Sequence, residues 1–213
     1  MWSFLVDRWA DVAYRSFQHV SLVVQSVALA TLIAIVLAVI VTAVGGLRST
    51  ANAVTAVGLT IPSFALLGLV IPIVGIGVLP SVVVVTFYAI LPILRNAVVG
   101  LDSVDETLVE SARGMGLGPV TTFLRVRLPL AWPVIVAGLR VSTQMSMGVA
   151  AIAAYALGPG LGGYIFTGLS QIGGANALNY ALVGTIGVVI LALLLDGLLV
   201  LLARLTTSRG IRV

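Results

Sequence analysis

Residues 102–129, DSVDETLVESARGMGLGPVTTFLRVRLP, decide how the chain is read. This is the longest polar interruption in a sequence otherwise made of apolar runs. It holds four of the seven acidic residues (Asp102, Asp105, Glu106, Glu110) and three of the eleven arginines (Arg113, Arg125, Arg127). Such a stretch between greasy segments predicts a structured loop held in water between two membrane helices. Inside it, Ser103-Val104-Asp105-Glu106 matches a capping box, with the Ser103 oxygen at the cap and Glu106 reaching back. Val104, Leu108, Ala112 and Met115 then recur at helical spacing, as one apolar face. Gly116 supplies a helix stop, and Gly118-Pro119 breaks the chain again before a second short helix carrying Phe123, Leu124 and Val126. A structured loop of this length in so economical a chain argues for a task of its own.

The rest of the composition sets the class. Of 213 residues, 60% are apolar and 8% charged, with a mean hydropathy of +1.21. A soluble domain would carry about a quarter charged residues. The expected class is therefore an all-α integral membrane protein, one domain over residues 1–213, with no appended soluble domain. The absence of cysteine excludes disulfides and thiolate metal sites. The net charge of +4 rests on arginine alone and reads as membrane topology, not nucleic-acid binding. Asp7, Arg8 and Asp11 stand where a cleavable signal would need an apolar core, so no such signal is expected.

Taken in order, residues 2–18 mix Trp2, Phe4, Trp9 and Phe17 with Asp7, Arg8, Asp11 and Arg15, the pattern of a helix lying at the membrane interface. Five spans are predicted at about 20–44, 51–74, 79–99, 129–157 and 178–203, with the polar loop at 102–128. Pro62 and Pro72 inside the second span place it within a bundle or along a path. Gly158–Gly174 reads as a glycine-rich loop with a short interfacial helix. If the loop faces the cytoplasm, then Arg48, Arg95 and the tail arginines Arg204, Arg209 and Arg212 do too. The positive-inside rule then puts the N-terminus outside and the C-terminus inside.

Glu110-Ser111-Ala112, three residues, Gly116, nine residues, then Val126-Arg127-Leu128-Pro129 resembles the EAA loop of bacterial ABC-importer permeases, with Ser111 and Val126 as mild departures. Thr60-Ile61-Pro62-Ser63, Gly75-Ile76-Gly77, Tyr88 to Ile93, Gly138-Leu139-Arg140 and Gly158 to Phe166 are similar to the osmoprotectant branch of that family, which carries glycine betaine, choline, carnitine and proline betaine. The resemblance implies a MetI-like, type I importer fold in the bacterial cell membrane. It implies a second permease, as a copy or a paralogue, a separate ATPase that binds ATP and Mg, and an extracellular substrate-binding protein. Glu110, Ser111, Ala112, Arg113, Met115 and Gly116 would form the coupling helix that docks on the ATPase. The chain has no phosphate loop and no lysine, so the motor must be another polypeptide and no cofactor is expected here.

Two ionisable residues lie deep in spans, Arg140 and Asp196, at about 12–17 Å from the loop side by helical rise. Intramembrane charges usually pair. The two form an ion pair, or each meets polar groups in the bundle, a structural role in either case. A quaternary ammonium is held by aromatic faces, and the candidate path residues are Pro62, Ser63, Phe64, Phe87, Tyr88 and Tyr155. His19, the only histidine, is expected at the interface. The rival readings are a permease for methionine or another amino acid, and an ATP-independent carrier built on the broken helices.

Overall fold

A backbone surrounded by hydrocarbon must satisfy its own N–H and C=O groups, and these apolar runs do so as helices. The computed structural model describes residues 1–207. In order, they form α1 (Trp2–Ala43), α2 (Leu47–Thr60), α3 (Ser63–Val74), α4 (Val78–Asp102), α5 (Glu106–Gly114), α6 (Pro119–Thr122), α7 (Leu128–Ala153), α8 (Gly162–Ser170) and α9 (Ala177–Thr206). A π-helical turn, Phe123–Arg127, joins α6 to α7, and a 3₁₀ turn, Ala154–Ala156, follows α7. The tail arginines Arg209 and Arg212 lie outside the described residues. Among those described, α1, α4, the stretch Pro119–Ala156 and α9 are each long and apolar enough to cross a membrane, and α2 with α3 makes a fifth, bent pair.

The core sits where α1, α4 and α7 meet. Ala30, Ala34 and Ala38 recur every four residues on α1 and are fully buried, so that backbone lies close against its neighbours. Val85, Ala89, Ile93 and Ala97 of α4 join the same cluster, with Ala131, Ile135, Met147 and Ala150 of α7. The α4–α7 crossing needs Gly138. A Cβ there would come within 2.5 Å of the Asn96 Cβ and 3.0 Å of the Pro92 carbonyl oxygen. Pro92 leaves the Tyr88 carbonyl without its helical N–H donor, and two side chains bond α4 carbonyls nearby: Asn96 Nδ2 donates to the Pro92 carbonyl at 2.9 Å, and Ser142 Oγ donates to the Ala89 carbonyl at 2.8 Å.

Three expectations about the helices are corrected. Residues 2–18 are not a separate interfacial helix, because α1 runs unbroken from Trp2 to Ala43. At about 63 Å by helical rise, it overshoots a bilayer's hydrocarbon core. Its extension is held sideways by other helices: the Phe4 ring packs on Tyr164 and Tyr180, and Arg8 stands over Phe4 and Tyr180. Asp11 binds Arg15 at 2.9 Å and accepts from the Tyr164 hydroxyl at 2.7 Å. Burial, then that bond to Asp11, pushes Tyr164 up to about 12. The second span is not one straight helix. Pro62 disfavours helical geometry at Ile61, which turns extended (φ −66°, ψ 125°), and the axis bends by 93°. The Tyr88 hydroxyl donates to the Ile61 carbonyl freed at the break. Finally, the helix begun at Pro119 does not stop short but runs through the π turn into α7.

The bundle has two distinguishable ends. At one, Arg48 binds Asp102 at 2.9 Å, α5 lies beside them, and Trp132 Nε1 donates to Thr206 Oγ1 at 2.7 Å. At the other, the Gly77 N–H donates to the Ala156 carbonyl at 2.7 Å, and Phe4 meets α8 and α9. Met1 and Thr207 therefore lie at opposite ends.

Candidate functional site

The polar loop folds around α5, and both of its ends are capped. Asp105, not Ser103, is the N-cap: its carboxylate accepts from the Thr107 backbone N–H at 2.9 Å. That bond holds the Asp105 carboxyl below its ordinary range. Ser103 Oγ is turned back to donate to the Gly100 carbonyl at 2.8 Å, which removes it from capping. At the other end the Leu117 N–H donates to Ala112 at 3.1 Å and the Gly116 N–H to Arg113 at 2.9 Å, with Gly116 at φ +83°. This paired closure requires a left-handed residue, which glycine supplies at least cost.

The helix has two faces, divided differently from the expectation. Val109 and Ala112 are buried, and Val109 joins Val104 in the bundle's core cluster. Leu108 and Met115 point away from it, Met115 with 74% of its surface exposed. Of the coupling residues expected from sequence, Glu110, Ser111, Arg113, Met115 and Gly116 are thus exposed, whereas Ala112 is spent on packing α5 to its own chain. Ser111 Oγ donates to Thr107 at 2.7 Å, and Arg113 reaches Glu106 at 3.7 Å.

Deeper in the bundle, Arg140 of α7 and Asp196 of α9 meet as a two-pronged pair. Arg140 Nε donates to one carboxylate oxygen at 2.8 Å and Nη2 to the other at 2.9 Å. A fork matched to a carboxylate fixes both distance and orientation, so the pair locks the register of α9 on α7. His19 is not at the interface. Because α1 is continuous, His19 falls inside the bundle, fully buried, and its Nε2 donates to the Met147 carbonyl at 3.1 Å.

The path residues divide into two groups. Phe87 and Tyr88 form one edge-to-face pair, centroids 5.4 Å apart, packed with Leu67, Val84 and Ala156. Phe64 and Tyr155 form the other, 5.1 Å apart, with a third ring, Phe166, against both. Pro62 and Ser63 stand at the bend that leads into Phe64. The four aromatics therefore do not make one cage. Phe166 was missed as a partner of Tyr155, although its place four residues beyond Gly162, in the first helix after the glycine turn, is the signal for it. Among the described residues no group of three or more histidine or acidic side chains gathers as a metal would need.

Comparison with known proteins extends this geometry. The family model described as the binding-protein-dependent transport system inner membrane component matches residues 30–208. The choline transport system permease protein OpuBB of Bacillus subtilis is 36% identical over 98% of this chain and 94% of its own length. The osmoprotectant import permease protein OsmW of Salmonella typhimurium is 37% identical over 98% of each chain. The glycine betaine/carnitine/choline transport system permease protein OpuCB of Bacillus subtilis is 34% identical over all of this chain and 96% of its own length. Among solved structures, a chain of the MetNI methionine ABC transporter in an inward-facing conformation matches with a TM-score of 0.78 and 25% identity, over 92% of this chain and 96% of that one.

Proposed function

Because the chain belongs to the family of binding-protein-dependent transport system inner membrane components, we propose that it is the permease subunit of an ATP-driven importer for osmoprotectants such as glycine betaine, choline, carnitine or proline betaine. The observation that carries the substrate class is identity of 34–37% along essentially the whole chain with permeases named for choline, glycine betaine, carnitine and osmoprotectants.

In this reading α5 is the coupling helix. What supports the role is its capped ends, its Val109–Ala112 face anchored in the bundle, and an outward face carrying Leu108, Glu110, Ser111 and Met115. A short rigid helix with an apolar ridge and a few exposed charges, Glu106, Glu110 and Arg113, suits a groove on an ATPase. The end that carries α5, Arg48 and Arg204 is cytoplasmic by the positive-inside rule, which puts the N-terminus outside and the C-terminus inside. ATP and Mg are bound by the partner ATPase, the solute is delivered by a separate binding protein, and a second permease, a copy or a paralogue, completes the path. The chain itself does no hydrolysis. Closure of the ATPases moves α5, and its anchored face passes that motion to α4 and α7.

Methionine is the second reading, favoured by the likeness to the MetNI chain; at 25% identity that likeness speaks for architecture more than for solute. The discriminating experiment is uptake into proteoliposomes holding the complete importer, with ATP inside. Labelled choline, glycine betaine, carnitine and methionine are each supplied with the binding protein. ATP-dependent uptake of the quaternary ammonium solutes is expected. Uptake of methionine alone moves the second reading to first place, and uptake without ATP would make the protein an autonomous carrier.

A further inference from the structure

Three aromatic rings from three separate elements meet at the end of the bundle remote from α5. Phe64 stands in the first turn of α3, just past the break at Pro62, Tyr155 lies in the turn after α7, and Phe166 is on α8. Ring centroids are 5.1 Å apart for Phe64–Tyr155, 5.7 Å for Tyr155–Phe166 and 6.3 Å for Phe64–Phe166, at interplanar angles of 66°, 57° and 82°. Each ring touches both of the others, so the triangle is closed. It is not core, since Phe64 is 46% and Tyr155 64% exposed. Here α3, α7 and α8 are tied to one another.

We propose that Phe64, Tyr155 and Phe166 form an aromatic latch across the outer end of the solute path, closed on itself in this conformation, which opens around the quaternary ammonium head of an entering solute. The proposal rests on the osmoprotectant reading above and adds a site in this chain that takes part in passage. A trimethylammonium group has no N–H to donate, so hydrogen bonding cannot recognise it, whereas the negative faces of aromatic rings can. In the closed triangle the positive ring edges occupy those faces. A passing cation replaces each edge with a full positive charge, and when it leaves the rings close on one another again. The opening needs only side-chain rotation. α3 lies between the Pro62 break and a turn with Gly75 at φ +85° and Gly77 at φ +111°, and it packs on α4 through Leu66, Leu67 and Val70. Phe64, half-exposed in the first turn of α3, stands ahead of those residues, so its ring can turn without unpacking them. Tyr155 sits just before Leu157, itself left-handed at φ +60°.

The test uses the complete importer in proteoliposomes, reading choline uptake and ATP hydrolysis together. Phe64→Leu and Tyr155→Leu should each lower choline taken up per ATP hydrolysed by about three- to thirtyfold, the range between an exposed and a desolvated cation–π contact. Phe64→Trp and Tyr155→Phe, which keep a ring, should stay near wild type. The chain has no cysteine of its own, so a Phe64→Cys/Phe166→Cys pair can be bridged by a short bifunctional thiol reagent. Bridging through a reducible linker should stop the uptake that this ring-depleted pair retains, and reductant should bring it back to the unbridged pair's level, which separates closure from misfolding. The latch is overturned if the leucine variants couple like wild type, if the ring-keeping variants fail as badly as leucine, or if bridging leaves uptake unchanged. If the wild-type importer takes up no quaternary ammonium solute at all, the osmoprotectant reading falls and the latch with it. Uptake by wild type and leucine variants alike removes the latch only.

Discussion

Removing either member of the Arg140–Asp196 pair should destabilise the protein more than any other single polar substitution in the spans. Two donors at 2.8 and 2.9 Å leave neither carboxylate oxygen unmatched. At an effective dielectric constant of about 20, unit charges about 4 Å apart attract by about 4 kcal/mol, which bounds the gain from above. Stranding one charge of a buried pair costs about 3–5 kcal/mol. With 40% of Arg140 and 19% of Asp196 side-chain surface open, the lower end applies, about 2–3 kcal/mol for Asp196→Asn or Arg140→Gln. For a chain of this size, about 2–4 °C accompanies each kcal/mol, so each single variant should lose about 4–12 °C. The double variant leaves no stranded charge. It should lose less than the sum of the singles, by about 1.5 kcal/mol or more. Thermal unfolding in nanodiscs of the wild type, both singles and the double closes the cycle. Additivity within about 0.5 kcal/mol would refute the pairing as an energetic unit, whatever the distances.

Other expectations follow from single contacts. Gly138→Val should cost at least about 1–3 kcal/mol by forcing α7 off Asn96 and Pro92, while Gly148→Ala, with open space around it, should be neutral; thermal unfolding of the two distinguishes crossing geometry from mere loss of glycine. Gly116→Ala meets no neighbour but must adopt φ +83°, so it should cost about 1 kcal/mol and shorten α5. Amide exchange at Leu117 should quicken in that variant and stay slow at Val85. The Asp105 carboxyl is depressed by its bond to the Thr107 N–H. Its capping is therefore fully present above the ordinary carboxylate pKa of about 3.9 and is lost only as pH falls through the lower folded value. Thr107 amide protection should be flat from pH 5 to 8 and drop below that range, and Asp105→Ala should show the unprotected level at every pH.

How much of this was legible before the fold is clearest at particular residues. The polar loop declared itself by charge and by the Glu110 to Pro129 spacing, both of which survive in any linear reading. The depth match of Arg140 and Asp196 needed only helical rise and the cost of charge in hydrocarbon. What could not be read was lateral. Residues 2–18 look interfacial because they mix aromatics with charges, yet that mixture serves α8 and α9 through Phe4, Arg8 and Asp11, a contact more than 150 residues distant in sequence. On α5 the spacing of Leu108 and Met115 is as helical as that of Val109 and Ala112. Only the packing of α5 on α6 and the π turn decides which pair is inward. Ser103 and Asp105 are both good caps, and the choice fell to Asp105 because α4 continues to Asp102 and turns the Ser103 hydroxyl to Gly100. Aromatic rings scattered over α3, α4, the turn after α7 and α8 could be grouped only once the bend at Pro62 was known.

The central claim, that α5 receives the motor of an importer, is tested most directly by purifying the chain in mild detergent and identifying what accompanies it. The wild type should bring down an ATPase subunit. Glu110→Arg and Met115→Asp, both on the outward face and outside the core, should lose it while keeping the wild-type unfolding temperature. A chain that comes down alone under conditions preserving complexes, or an ATPase that stays bound to both variants, would contradict the account.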